Sequence, residues 1–318
     1  MDPDPQLPAW FVVALAALFG AVVGSFLNVC ILRWGAEPKA SVVSPPSRCP
    51  RCERALAWFE NIPVLSWILL RGRCRGCGLA ISAQYPLIEL ATALLWAFIA
   101  WRYGLSLAAL QGVAFVTILL GIAMTDARAF IIPHEFTYGG LGIGLLLSLA
   151  QGPAGVIAAL HGAIFGAGFL YLVGSVGTLL AGREAMGGGD VAMMAMVGAF
   201  LGWQGVLGTV FLGSVVGVAL YIVGMLFRDR TSAPTATAAV APVPEPVIAP
   251  LDGDEIAPIA IGADAARVDA EPTPEELRAA GYLPFGVSLA IAAAGLLLFV
   301  RPGGLAAWFA DYALMLGL

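Results

Sequence analysis

Long apolar runs separated by short polar breaks dominate this chain. Runs suited to crossing a bilayer as helices, which takes roughly 17–25 residues, are read at roughly 9–32, 84–101, 105–125, 136–151, 153–181, 191–203, 205–227 and 284–300. The sixth is short and leans on the glycines before it. The first follows Asp2 and Asp4 rather than basic residues, and it is too long for a cleaved signal peptide, so it reads as a spanning helix. The pattern predicts an all-α polytopic membrane protein with about eight transmembrane helices. It divides into a first helix over 1–33, a polar unit over 34–83, a six-helix membrane core over 84–228, an acidic stretch over 229–282, and a last helix with the C-terminus over 283–318.

Composition agrees: 60% of residues are hydrophobic, 12% are charged, and the mean hydropathy is +0.89, outside the range of soluble domains. The net charge of −5 hides an uneven distribution. Residues 229–282 hold ten acidic and three basic residues, are rich in Ala and Pro, and reach no aromatic before Tyr282. Such a stretch cannot bury enough apolar surface to offset its ordering entropy, so it predicts a disordered linker. The remainder is slightly basic. Arg33, Lys39, Arg48, Arg51, Arg54, Arg71, Arg73 and Arg75 crowd the first polar break, which the positive-inside rule places in the cytoplasm. Threading the other spans alternately puts Arg128, Arg183, Arg228 and Arg230 on that side too.

The polar unit carries two knuckles, Cys49-Pro50-Arg51-Cys52 and Cys74-Arg75-Gly76-Cys77, separated by 21 residues. Four thiolates in that pattern suit tetrahedral zinc in a structural role, because they leave no position open for water. Free thiols or two disulfides are the alternatives, and a cytoplasmic loop disfavours disulfides. Cys30, inside the first run, reads as a small packed residue.

Two carboxylates mark the other candidate chemistry. Asp126 ends one apolar run, and Asp190 opens another behind Gly187, Gly188 and Gly189. Ionisable groups at membrane helix ends are functional candidates by default. Adjacent carboxylates share a proton, so one serves as base and the other as acid. Helix dipoles alone assign the base to Asp190, at a helix start, and the acid to Asp126, at a helix end. The three glycines suit a substrate backbone running close past Asp190.

Gly24-Ser25-Phe26-Leu27-Asn28-Val29 with Arg33, the knuckles with Glu60-Asn61-Ile62-Pro63 and Leu65-Ser66-Trp67 between them, and Tyr85-Pro86-Leu87-Ile88-Glu89-Leu90 resemble the type IV prepilin peptidases. The resemblance continues through Asp126 with Ile132-Pro133, through 187–190 with Gly198 and Leu201-Gly202, and to Pro284-Phe285-Gly286. It implies a GxGD-type membrane aspartic endopeptidase of the bacterial inner membrane. Such enzymes remove the basic leader of prepilins and pseudopilins at the cytoplasmic face, and those with knuckles usually methylate the new N-terminus using S-adenosylmethionine. Asp126 and Asp190 match the catalytic pair. The sequence departs from the family with Ala192 where a lysine is common and His134 where an aspartate is common.

Glu60, Asn61 and Glu89 are candidate contacts for substrate or methyl transfer, and the basic loop for lipid headgroups. No feature calls for a nucleic-acid partner. His161 reads as a packed membrane histidine, Met193, Met194 and Met196 as packing, and Asp311 as interfacial. A peptidase without methylation and a non-catalytic membrane scaffold are the competing readings. A transporter would show paired repeats and charges at the bilayer midplane, which are absent from the sequence.

Overall fold

The computed structural model describes residues 8–36, 39–182, 186–227 and 284–299. Among them, eight α-helices follow in order: α1 Ala9–Trp34, α2 Leu65–Leu69, α3 Gln84–Tyr103, α4 Leu107–Ala129, α5 His134–Ser148, α6 Gly152–Ala181, α7 Gly188–Phe227 and α8 Phe285–Phe299. Short 3-10 turns lie at Trp58–Asn61 and Leu149–Gln151. Among the described residues there is no β-strand, only two isolated bridges. Helices fit the composition because a spanning segment must satisfy its backbone polar groups internally.

Among the described residues, five helical stretches are long and apolar enough to cross a membrane: Ala9–Trp34, Gln84–Tyr103, Leu107–Ala129, His134–Ala181 and Gly188–Leu226. Two of these far exceed a bilayer's thickness, and both are broken. His134–Ala181 changes to a 3-10 turn at Leu149–Gln151 and passes through Gly152 at φ +78°. Gly188–Phe227 kinks at Gly202, whose φ of 71° and ψ of 179° no helix contains. Both breaks use glycine, which alone takes that backbone freely.

The chain divides into two compact units, Met1–Ala219 with Pro284–Leu318, and Leu220–Leu283. Of the second, only 220–227 are described, and they are helical. The predicted acidic linker and Asp311 lie outside the described residues.

The first unit's core is built on α4 and the first arm of α7. Phe115, Leu119 and Ile122 from α4 meet Met193, Met194, Met196 and Val197 from α7, all fully buried, with Leu289 and Ala293 of α8 against them. The three methionines thus pack, as expected. Lipid tails are as apolar as leucine, so close fit rather than hydrophobic transfer holds such helices together. Gly162 of α6 and Gly198 of α7 show how close: a Cβ on either would lie 2.0 Å from the other's carbonyl oxygen. His161, read as a packed histidine, is instead exposed on α6. Cys30 is buried in the core.

Between α1 and α3 lies the small cysteine unit, built twice on one plan. In the first knuckle Cys49 N donates to Arg54 O at 3.0 Å and Glu53 takes φ +54°; in the second Cys74 N donates to Leu79 O at 2.8 Å and Gly78 takes φ +71°. Bridges Arg48 to Ala55 and Arg73 to Ala80 close the two loops.

Candidate active site

Asp126 stands in the last turn of α4 and is only 5% exposed. Phe130 ends that helix at φ +56°, its N–H on the Asp126 carbonyl at 2.9 Å. Pro133, which lacks a donor, then prevents the helix from resuming before α5. The chain therefore turns through 131–133 immediately beside the carboxylate.

Asp190 is the third residue of α7, and its amide reaches Gly187 O at 3.2 Å. A first-turn carboxylate faces the unpaired amides and positive end of its helix. Its Oδ1 is buried and makes no hydrogen bond to the described residues. Gly187 and Gly188 are exposed, and among the described residues a Cβ on either would meet nothing within 4 Å.

Ile132 ties the two aspartates together. A Cβ on Gly189 would lie 3.0 Å from Ile132 Cβ, and a Cβ on Gly286 would lie 2.9 Å from Ile132 Cδ1. The start of α7 and the start of α8 therefore pack on the same side chain next to Asp126. The two carboxylates are near enough to feel each other's charge.

The start of α8 supplies what local reasoning missed. Val287 N donates to Asp126 Oδ2 at 3.0 Å. A Cβ on Gly286 would sit 2.8 Å from that oxygen. The dipole of α4 is thus not the only helix end at Asp126. The positive end of α8 points at it, and the expectation that Asp126 is the acid loses its basis. The only sequence signal was glycine just inside a helix start, behind Pro284.

Neighbouring charges are engaged elsewhere. Arg128 donates to Gln84 Oε1 on α3. Glu135 pairs with Lys39 at 2.9 Å, and His134 stacks on Tyr138 with ring centroids 5.0 Å apart.

The four knuckle sulfurs lie within 4.8 Å of one another, with Cys49 to Cys77 at 3.7 Å and Cys52 to Cys74 at 4.0 Å. Tetrahedral zinc with bonds of about 2.3 Å places sulfurs about 3.8 Å apart, so the geometry fits. Backbone amides favour thiolates here. Those of Cys77 and Gly76 bring the Cys74 thiol down to about 6, and those of Cys52 and Arg51 lower Cys49. The Leu79 amide acts likewise on Cys77, but burial and the three other cysteines push it up to about 11. Sulfurs this close could hold a metal ion between them.

Glu60, Asn61 and Glu89 do not join the aspartates. All three line one cavity of about 600 Å³ between the cysteine unit, α1 and α3. Glu60 is held by Arg54 at 2.7 and 3.0 Å and by the Ala57 amide at 2.8 Å. The Arg54 guanidinium, then that amide, keeps Glu60 below the usual carboxylate range. Glu89 is buried in α3 and accepts from Val64 N at 2.7 Å. Asn61 is exposed at the cavity's rim.

Helices of spanning length, paired aspartates at helix ends and a four-cysteine unit define a multi-pass membrane protein with an acid pair and a metal-capable domain. Residues 18–103 match the family described as bacterial peptidase A24 N-terminal domain, and residues 113–222 match the type IV leader peptidase family. Curated relatives named prepilin leader peptidase/N-methyltransferase are similar along most of their length. That of Myxococcus xanthus is 40% identical, covering 71% of this chain and 68% of the relative. That of Neisseria gonorrhoeae is 34% identical over 69% and 85%, and that of Pseudomonas aeruginosa 35% over 69% and 83%. No solved structure matches significantly. The chain belongs to the type IV leader peptidase family.

Proposed function

We propose that this chain removes the leader of prepilins and pseudopilins by aspartic catalysis at Asp126 and Asp190, then methylates the new N-terminus. The convergence of Asp126, Gly189-Asp190 and the start of α8 on Ile132 carries this reading. Eight helical segments, with α5 separate from α6 and α7 divided at Gly202, thread the bilayer in the order read from the sequence. That threading places both aspartates and the four-cysteine unit on the cytoplasmic side of the bacterial inner membrane. Residues 34–83 then form the cytoplasmic unit, 84–228 the peptidase core, and 283–318 the last span.

The chemistry follows from the hydrogen bonds. Amide donors favour the charged form of a carboxylate, and Asp126 Oδ2 accepts from Val287 N of α8. Asp126 is therefore assigned as the base, and Asp190, whose Oδ1 makes no hydrogen bond to the described residues, as the proton holder. Water attacks the scissile carbonyl carbon and gives its proton to Asp126, while Asp190 protonates the carbonyl oxygen. Collapse of the diol breaks the C–N bond, and the amine leaves with a proton from the pair.

Gly286→Val drives carbon into Asp126 Oδ2 and Ile132. Turnover is expected to fall on the order of 10²-fold or more, as for ångström misplacement of a catalytic group, with KM changed far less. Steady-state cleavage of a synthetic prepilin checks this; unchanged turnover would dismiss the clamp.

The cavity of about 600 Å³ is the methyl-transfer site in this reading. Its volume suits a cofactor-sized ligand, and the buried Glu89 carboxylate suits a cationic sulfonium or amine. S-adenosylmethionine supplies an electrophilic methyl group. Glu89 orients the cation, and Asn61 at the rim reaches the peptide terminus. Glu89→Gln is expected to abolish methylation of a pre-cleaved peptide while cleavage persists. Methylation at the wild-type rate would remove the assignment.

The four cysteines hold structural zinc. Cys49→Ser, or a strong chelator, is expected to release the metal and speed hydrogen exchange across 47–81. Elemental analysis finding no zinc in the purified wild type would end this reading.

A further inference from the structure

The cysteine unit carries an apolar edge that the proposed chemistry does not use. Trp58 is 80% exposed, Leu69 72%, Ile68 57% and Leu65 50%, within a 12-residue stretch whose single charge, Glu60, is paired with Arg54. Exposed arginines follow at 71, 73 and 75. In water such an edge is unfavourable.

Its depth says what covers it. Helix α3 has 20 residues, about 30 Å, which is the thickness of the hydrocarbon core. Its start at Gln84 therefore lies near the boundary of that core. Glu89 is five residues further in, about 7.5 Å along the axis. Val64 N is hydrogen-bonded to Glu89 Oε2 at 2.7 Å, and α2 begins at the next residue. Ser25, nine residues inside the end of α1, lines the same cavity as Glu89. The chain at 62–65 has been drawn down beside the membrane helices. Apolar side chains facing outward at that level meet lipid.

We propose that Trp58 and α2 form a lipid-inserted edge, with Leu65, Ile68 and Leu69 in the boundary between headgroups and acyl chains. Arg71 and Arg73 lie over it, on acidic phospholipid headgroups. The arrangement is that of an interfacial amphipathic segment, with an aromatic anchor at one end and cations at the other. It seats the cysteine unit, and with it the cavity beside α1 and α3, against the surface where a substrate helix emerges from the bilayer.

Site-specific photocrosslinking tests this. The full-length protein is placed in nanodiscs of phosphatidylethanolamine and phosphatidylglycerol, with p-benzoylphenylalanine replacing Trp58, Ile68, Leu69 or, as the control, the exposed Arg51. Retained prepilin cleavage selects folded variants, and the aromatic exchange at Trp58 is the most conservative. Phospholipid adducts by mass spectrometry are expected at 58, 68 and 69 and not at 51, with phosphatidylglycerol above its mole fraction. Equal lipid adducts at 51, no lipid adduct at the three positions, or adducts there only with added prepilin peptide would each overturn the proposal. The last would make the edge a substrate groove.

Discussion

Asp126→Asn and Asp190→Asn are each expected to lower leader cleavage by about 10²–10⁴-fold, the range lost with a positioned acid or base, without unfolding the protein. The structure explains why the fold survives. An asparagine oxygen at position 126 still accepts from the Val287 amide, which bonds Asp126 Oδ2 at 3.0 Å. At position 190 the Oδ1 atom makes no hydrogen bond to the described residues that an amide would break. What each change removes is chemical: an amide in place of the Asp126 carboxylate cannot take a proton from water, and one in place of Asp190 cannot give a proton to the carbonyl oxygen. Because the pair acts as a unit, the double variant is expected to be little worse than either single one. Progress curves on a synthetic prepilin check both points. Additive losses would mean that the carboxylates act separately.

Gly198→Val acts on the fold instead. The Cβ it introduces falls 2.0 Å from Gly162 O, and the second carbonyl stacked on this contact, Met194 O, lies 2.1 Å from a Cβ on Gly166. No flexible side chain can yield here, since both neighbours are backbone. Helices α6 and α7 must separate, and the buried Met193, Met194 and Val197 lose partners. The expected destabilisation is at or beyond the upper end of the roughly 1–3 kcal/mol usual for overpacking. The first arm of α7 carries Asp190 at its start, so cleavage is lost as well. Thermal unfolding in detergent checks this, and a wild-type midpoint would show that the two helices do not pack as described.

Helix positions were legible in the sequence because a bilayer imposes length and apolarity together. The runs read at 9–32, 84–101 and 105–125 became Ala9–Trp34, Gln84–Tyr103 and Leu107–Ala129. The divisions read between 136–151 and 153–181 and between 191–203 and 205–227 fall at or next to the breaks at Gly152 and Gly202, where a positive φ selects glycine. The knuckles were legible because both ends of each turn are cysteines. The positive φ at Glu53 was not, since its counterpart in the second knuckle is a glycine and this one is not.

Placing the two aspartates at helix ends needed only local pattern. Their setting did not follow from it. The amide that holds Asp126 comes from 161 residues away, and no local rule reports a contact across that distance. Glu60, Asn61 and Glu89 stood out singly, yet their shared cavity depends on how 47–82 folds back on α1 and α3.

The most direct measurement is the intact mass of a synthetic prepilin incubated with purified protein and S-adenosylmethionine, beside Asp126→Asn and Asp190→Asn. The account predicts a product lacking its leader and carrying one added methyl group with the wild type, and unprocessed precursor with either variant. Leader loss that persists in both variants would contradict it.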